Sequence, residues 1–98
     1  MINHGIAPED IKIIHDILAK YQQQVSVFGS RVKGTYQKFS DLDICIKDPI
    51  SDYDASMLEE AFIDSDLPFK VDVILYHQVA PEFQKRIDQE AVPLAQLR

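Results

Sequence analysis

Residues 28–46 read FGSRVKGTYQKFSDLDICI. Gly29 and Gly34 have the spacing of a phosphate-binding loop, while Asp41 and Asp43 enter what reads as an apolar strand. The Walker pattern G-x-x-x-x-G-K-[ST] requires a lysine after its second glycine, to reach the terminal phosphates. Thr35 stands there instead, and a chain of 98 residues would lack most of the sheet such a fold needs. The stretch is therefore not a P-loop. What remains is a strand, Gly29-Ser30, and a helix start. A glycine lets the backbone turn closely, and the first amides of a helix point outward at an anion. Ser30 adds a hydroxyl donor, and Arg31 and Lys33 supply positive charge for phosphate oxygens.

The carboxylates point to a different chemistry. Asp41 to Lys47 reads as a strand with Leu42, Ile44 and Ile46 on one face. Side chains alternate along a strand, so Asp41 and Asp43 share the opposite face, about 6.6–6.8 Å apart. Two like charges so placed repel unless something positive lies between them, and a divalent cation with oxygen ligands is the usual solution. The plainer alternative is a strand edge with two solvated acids. A further strand, Phe69 to Tyr76, turns Val71, Val73 and Leu75 inward and leaves Asp72 on the other face. An apolar strand rarely carries such an aspartate without a partner. If the two strands pair, Asp41, Asp43 and Asp72 meet on one sheet face. Three such acids can hold two cations, about 3.5–4 Å apart, for in-line displacement at phosphorus. The competing reading pairs Asp72 with Lys70 or Lys33, and Asp48 and Asp66, both at chain breaks, are rival third ligands.

Around these motifs the chain alternates helix and strand. Ala7-Pro8-Glu9-Asp10 opens a helix in which Ile11, Ile14, Leu18 and Tyr21 recur at helical spacing to about Gln23. Val25 to Phe28 is a short strand stopped by Gly29. Ser30 is expected to cap a short helix running to Gly34, followed by a polar loop from Thr35 to Ser40. Ser51 and Asp54 form a weak capping box for a helix that should carry Met57, Leu58, Ala61 and Phe62 inward. A last helix should start near Pro81 and bury Phe83 and Ile87; the tail from Glu90 carries no clear pattern. The order implies one α/β domain over residues 1–98, a small mixed sheet of short strands flanked by helices.

With 46% hydrophobic and 27% charged residues the chain should fold, but its modest core leaves little surface for a deep pocket. Part of an enzyme's substrate site would then come from another chain. A net charge of −6 argues against stable nucleic-acid binding over a broad basic face, though not against a nucleotide held through a cation. Cys45 is the single cysteine, which excludes an intrachain disulfide and a cysteine zinc cluster; by parity it shares the aspartate face. His4, His15 and His77 lack metal-ligand spacing. Tyr36 and Phe39 can stack on a base or pack locally. With neither a membrane-length apolar run nor a signal-peptide pattern, a soluble cytoplasmic protein with no membrane association is expected.

Gly29-Ser30-Arg31-Val32-Lys33-Gly34 followed by Ser40-Asp41-Leu42-Asp43 resembles the GS-x-x-x-G…SD-x-D signature of polymerase-β-like nucleotidyltransferases. The closest group is the minimal nucleotidyltransferases (MNT), whose size matches nearly the whole chain and whose usual loop reads GSRARG. Val32 and Lys33 depart from it, and Lys33 keeps the charge without the planar fork of arginine. The resemblance implies two Mg²⁺ ions, ATP as substrate, and nucleotidyl transfer to a hydroxyl with release of pyrophosphate. It carries the catalytic and metal-binding triad onto Asp41, Asp43 and Asp72, and the nucleotide phosphates onto Gly29, Ser30, Arg31 and Lys33. Many minimal members resemble antitoxins paired with a HEPN-domain ribonuclease toxin, silenced by AMP placed on a tyrosine. An acidic surface suits such a basic partner. Two other functions are compatible with the signature: an antitoxin that only binds, and a free-standing transferase for a small molecule, which would need a homo-oligomer to complete its acceptor pocket.

Overall fold

A computed structural model describes residues 4–98. Helix α1 spans Pro8–Ile17, with Pro8 in its first turn and Glu9 and Asp10 at the positive end of its dipole. The expected continuation to Gln23 is instead a 3-10 segment, Ala19–Gln24; its tighter winding still delivers Leu18 and Tyr21 to the core. Strand β1 is Val25–Phe28, α2 is the single turn Ser30–Lys33, β2 is Leu42–Ile46, α3 is Asp52–Ile63 and β3 is Val71–Leu75. After a short 3-10 turn come α4, Pro81–Glu90, and a two-residue strand β4, Val92–Pro93.

The four strands lie in the order β3-β2-β1-β4. β2 and β3 run parallel, joined by the crossover helix α3, whereas β1 pairs antiparallel with both β2 and β4. This is the mixed, helix-flanked sheet expected from the element order. Its register places Phe28 opposite Asp43 and Asp43 opposite Asp72. The next row runs Ser26, Cys45, Ile74.

Period-two alternation sends the two sides of this sheet into different surroundings. Val25, Val27, Leu42, Ile44, Ile46 and Val71 join Ile14, Leu18, Leu58, Phe62, Leu94 and Leu97 in the main core. Phe28 and Cys45 pack with Ile87 of α4 in a smaller cluster on the aspartate side. Cys45 is fully buried there, and burial pushes its thiol pKa upward, as for an inert packing group.

Several inward assignments shift. α3 buries Ala55, Leu58 and Phe62, a 3-then-4 spacing, and leaves Met57 and Ala61 exposed on the adjacent rows. Ser51 does cap this helix, its Oγ accepting from the Asp54 amide at 3.0 Å. Ser30 is not a cap: Gly29 occupies that position and Ser30 is the first helical residue. Phe83 lies at the rim of α4, packed edge-on against Phe28 with ring centroids 6.0 Å apart. The tail supplies β4 and the buried Leu94 and Leu97. It is held by two histidines, since His15 Nε2 lies 2.6 Å from the Leu97 carbonyl and His4 Nε2 lies 3.2 Å from that of Arg98. His4 Nδ1 accepts from the Ile6 amide, so the Nε2 nitrogen carries the ring proton. Among the described residues no helix is long and apolar enough to cross a membrane.

Candidate active site

The site forms where β1 turns into α2 beside the row Phe28–Asp43–Asp72. Gly29 has φ +85°, a conformation that L side chains rarely adopt, and a Cβ there would overlap the Asp43 carboxylate. The glycine of the first motif therefore exists to admit an acid of the second. Gly29 O accepts from the Val32 and Lys33 amides at 3.1 Å, closing the turn. The amides of Ser30 and Arg31, at the helix start, are those that a helix cannot satisfy itself. Gly34, at φ +77°, ends the turn in the left-handed region.

Asp43 and Asp72 stand side by side on adjacent parallel strands. The Asp43 carboxyl is pushed up to about 6 by partial burial first, then by the charges of Asp72 and Asp41. Arg86 of α4 opposes this weakly. Asp72 also pairs with Lys70, Nζ to Oδ1 3.3 Å, through an exposed ammonium that cannot neutralise both acids. Asp41 precedes β2 and is exposed, near enough to load Asp43 electrostatically. Among the described residues, no three Asp, Glu, His or Cys side chains already converge as a finished cation cage. What the acids form is a carboxylate group short of positive charge, with Asp43 keeping its proton up to about pH 6. That donor set fits a hard divalent cation taking the proton's place. Asp48 lies beyond the far end of β2, away from this group.

The two basic residues of the loop part company. Arg31, expected to contact a phosphate, is instead 1% exposed. Its guanidinium donates to the Ser40 carbonyl from Nε (3.1 Å) and Nη2 (2.9 Å), to that of His4 from Nη1 (2.9 Å), and to that of Lys38 from Nη2 (3.3 Å). The rings of Phe69 and Tyr36 flank it, at 4.6 and 5.3 Å. Burial lowers its pKa. It ties α2 to the residue before Asp41 and to the approach of β3, and it is not presented to a ligand. Lys33 instead reaches the rim, where its Nζ pairs with Glu90 of α4 at 2.9 Å. Arg86 Nε meets the other oxygen of Glu90 at 3.2 Å. Neither α4 residue was singled out from the sequence; their i,i+4 spacing was visible, but not the surface that α4 covers. Tyr36 packs against Arg31, and Phe39 remains exposed. Along the outer side of β3 runs a groove of about 480 Å³, with Phe62, Ile63, Phe69 and Asp72 among its walls.

A helix-flanked mixed sheet that joins a Gly-Ser turn to two strand-borne carboxylates, with Asp41 just before β2, defines a class of phosphorus-transfer enzyme. Residues 12–96 match the family "Polymerase beta, Nucleotidyltransferase", and the chain belongs to it. It is 37% identical over 86 residues to the "Probable protein adenylyltransferase MntA" of Haemophilus influenzae, an alignment covering 84% of this chain and 75% of that protein. Two solved structures share the fold. One, the "Structure of putative minimal nucleotidyltransferase", is 25% identical with a TM-score of 0.67, over 87% of this chain and 89% of the other. The second, the "Crystal structure of the toxin-antitoxin with AMP-PNP", is 20% identical with a TM-score of 0.68, over 87% and 72% of the two chains. At that identity it speaks for the fold alone.

Proposed function

We propose that this nucleotidyltransferase is a Mg²⁺-dependent protein adenylyltransferase and antitoxin, which moves AMP from ATP to a tyrosine hydroxyl of a HEPN ribonuclease toxin. The observation that carries the reading is the row in which Gly29 makes room for Asp43 and Asp43 abuts Asp72. It brings phosphate-facing backbone against acids that the nearby cations, Lys70 and Arg86, leave incompletely neutralised. Identity to a probable protein adenylyltransferase supports a protein acceptor.

In this reading the acceptor oxygen bonds to the α-phosphorus, the bond from that phosphorus to the α,β-bridging oxygen breaks, and pyrophosphate leaves. Gly29 and Ser30 hold the outer phosphates, and Lys33 adds a cation to them. Arg31 acts from behind, holding Ser40 and so the entry to Asp41. Asp72 lines the groove beside β3, the side from which a polypeptide hydroxyl approaches, and takes its proton. Asp41, Asp43 and Asp72 would hold two Mg²⁺ ions, which when bound supply neutralising charge and make the acceptor hydroxyl more acidic.

The alternative of neutralisation by coverage alone has one feature in its favour. α3 exposes Tyr53, Met57 and Ile63, the last 80% accessible, which is apolar surface available to a partner. Incubation with Mg²⁺-ATP and the protein encoded by the adjacent gene separates the two. Mass spectrometry should show AMP on a tyrosine of that partner, lost with Asp41→Asn or Asp43→Asn. Full neutralisation by those variants with no AMP added would establish the binding mode. AMP on neither protein, but on a small hydroxyl compound supplied in its place, would establish the free-standing transferase.

A further inference from the structure

Helix α4 presents two rows to the site. Phe83 and Ile87 pack on Phe28 and its cluster, next to Gly29. Arg86 and Glu90, four residues apart, lie beside that row, and there a single carboxylate bridges cations from two elements. Glu90 Oε1 takes Lys33 of α2, and Oε2 takes Arg86. Without Glu90, the two cations would lose the carboxylate that joins them at the rim of the phosphate turn. Lys33 first and Arg86 next hold the Glu90 carboxyl below its usual range, and Arg86's charge also reaches Asp43.

We propose that Glu90 keeps the place of the nucleotide's polyphosphate until nucleotide binds, and that Arg86 is a second phosphate-binding cation released when Glu90 is displaced. The inference rests on the nucleotidyl-transfer reading and adds to it a residue on α4. All three side chains are partly open to solvent, so each pair is individually weak and exchangeable. A polyphosphate offers several charges where Glu90 offers one, and it engages both cations at once. Arg86 also brings the planar fork that Lys33 lacks, matching two phosphate oxygens together. The cluster therefore reads the phosphates and not the base.

The test is calorimetric titration of the full chain with Mg²⁺-ATP and, separately, AMP. Glu90→Gln keeps the shape and removes the competing charge; it should bind Mg²⁺-ATP about three- to fivefold more tightly. Arg86→Gln should weaken Mg²⁺-ATP binding about tenfold, and Arg86→Lys should recover part of that loss. AMP affinity should stay within about twofold throughout, since AMP does not span the cluster. A purely structural helix pair would give lower melting points in Glu90→Gln and Arg86→Gln and no separation of ATP from AMP. Glu90→Gln that binds Mg²⁺-ATP no better than wild type, or Arg86→Gln that leaves its affinity unchanged, overturns the proposal while leaving the transfer reading intact. Wild type that fails to bind Mg²⁺-ATP overturns the transfer reading itself.

Discussion

Arg31 and Lys33 leave the same short helix on opposite sides, and the two sides of the turn they mark are built on different principles. Inside, Arg31 is enclosed by carbonyls and aromatic rings with its donors matched to acceptors. Outside, Asp43, Asp72 and Asp41 crowd together with too little positive charge, and the cations nearest them are already engaged, Lys70 by Asp72 and both Lys33 and Arg86 by Glu90. The inner side is satisfied and therefore holds shape. The outer side is unsatisfied and therefore has affinity for what it lacks. A residue's position relative to the sheet, and not its type, decides which of these it serves.

The largest expected effect tests whether outer-side strain is functional. Asp43→Asn should reduce adenylyl transfer on the order of a thousandfold, because a ligand to the cations that would engage the reacting phosphates is lost. The same change should stabilise the metal-free protein. Asp43 is part-exposed, so after allowing for solvent screening the gain is about 1 kcal/mol near pH 7.5. Activity and thermal denaturation in EDTA should thus move in opposite directions. A variant that loses both would remove the contrast.

Arg31→Met tests the inner side. Stripping a buried guanidinium from three backbone carbonyls should cost about 3 kcal/mol, a melting point lower by roughly 10–20 °C. Arg31→Lys should recover only part of this, since an ammonium cannot reproduce the fork. Lys33→Met should do the reverse: stability within about 0.5 kcal/mol of wild type, but Mg²⁺-ATP binding weaker by about tenfold. Equal melting points for Arg31→Met and Lys33→Met would erase the distinction between the two residues.

The division was only half legible in the sequence. Strand parity put Leu42, Ile44 and Ile46 on one face and Asp43 on the other, and the register then brought in Asp72. The Gly-Ser turn was equally visible, because a glycine stopping a β-branched run is a local signal. Arg31's burial was not, since its acceptors lie on segments that only the fold brings together. The row that α3 buries was ambiguous because the helix carries more apolar residues than one stripe needs. β4 is two residues long and contains Pro93, so it exists only because β1 leaves an edge to pair with. Arg86 and Glu90 gain a place beside the site only because α4 lies over Asp43's side of the sheet.

The smallest expected effect is a pH dependence. The Asp43 carboxyl sits at about 6 in the folded chain against 3.8 ordinarily, so between these values the folded state binds the extra proton. Its stabilising contribution is complete below about pH 3.8 and is lost as the pH rises through about 6. In EDTA, wild type and Asp43→Asn should therefore melt alike near pH 4 and diverge by about 1 kcal/mol above pH 6.5. Mg²⁺ should close that gap by stabilising the wild type alone. A gap independent of pH would assign the difference to packing and not to charge.

The most direct measurement of the central claim follows the phosphorus. The chain, its partner protein and Mg²⁺ are incubated with ATP labelled at either the α or the γ position. Label should enter the partner from the α position only, with pyrophosphate released in equal amount, and Asp43→Asn should abolish both. Transfer of the γ label, or α-label transfer undiminished in Asp43→Asn, would contradict the assignment of nucleotidyl transfer to this row of carboxylates.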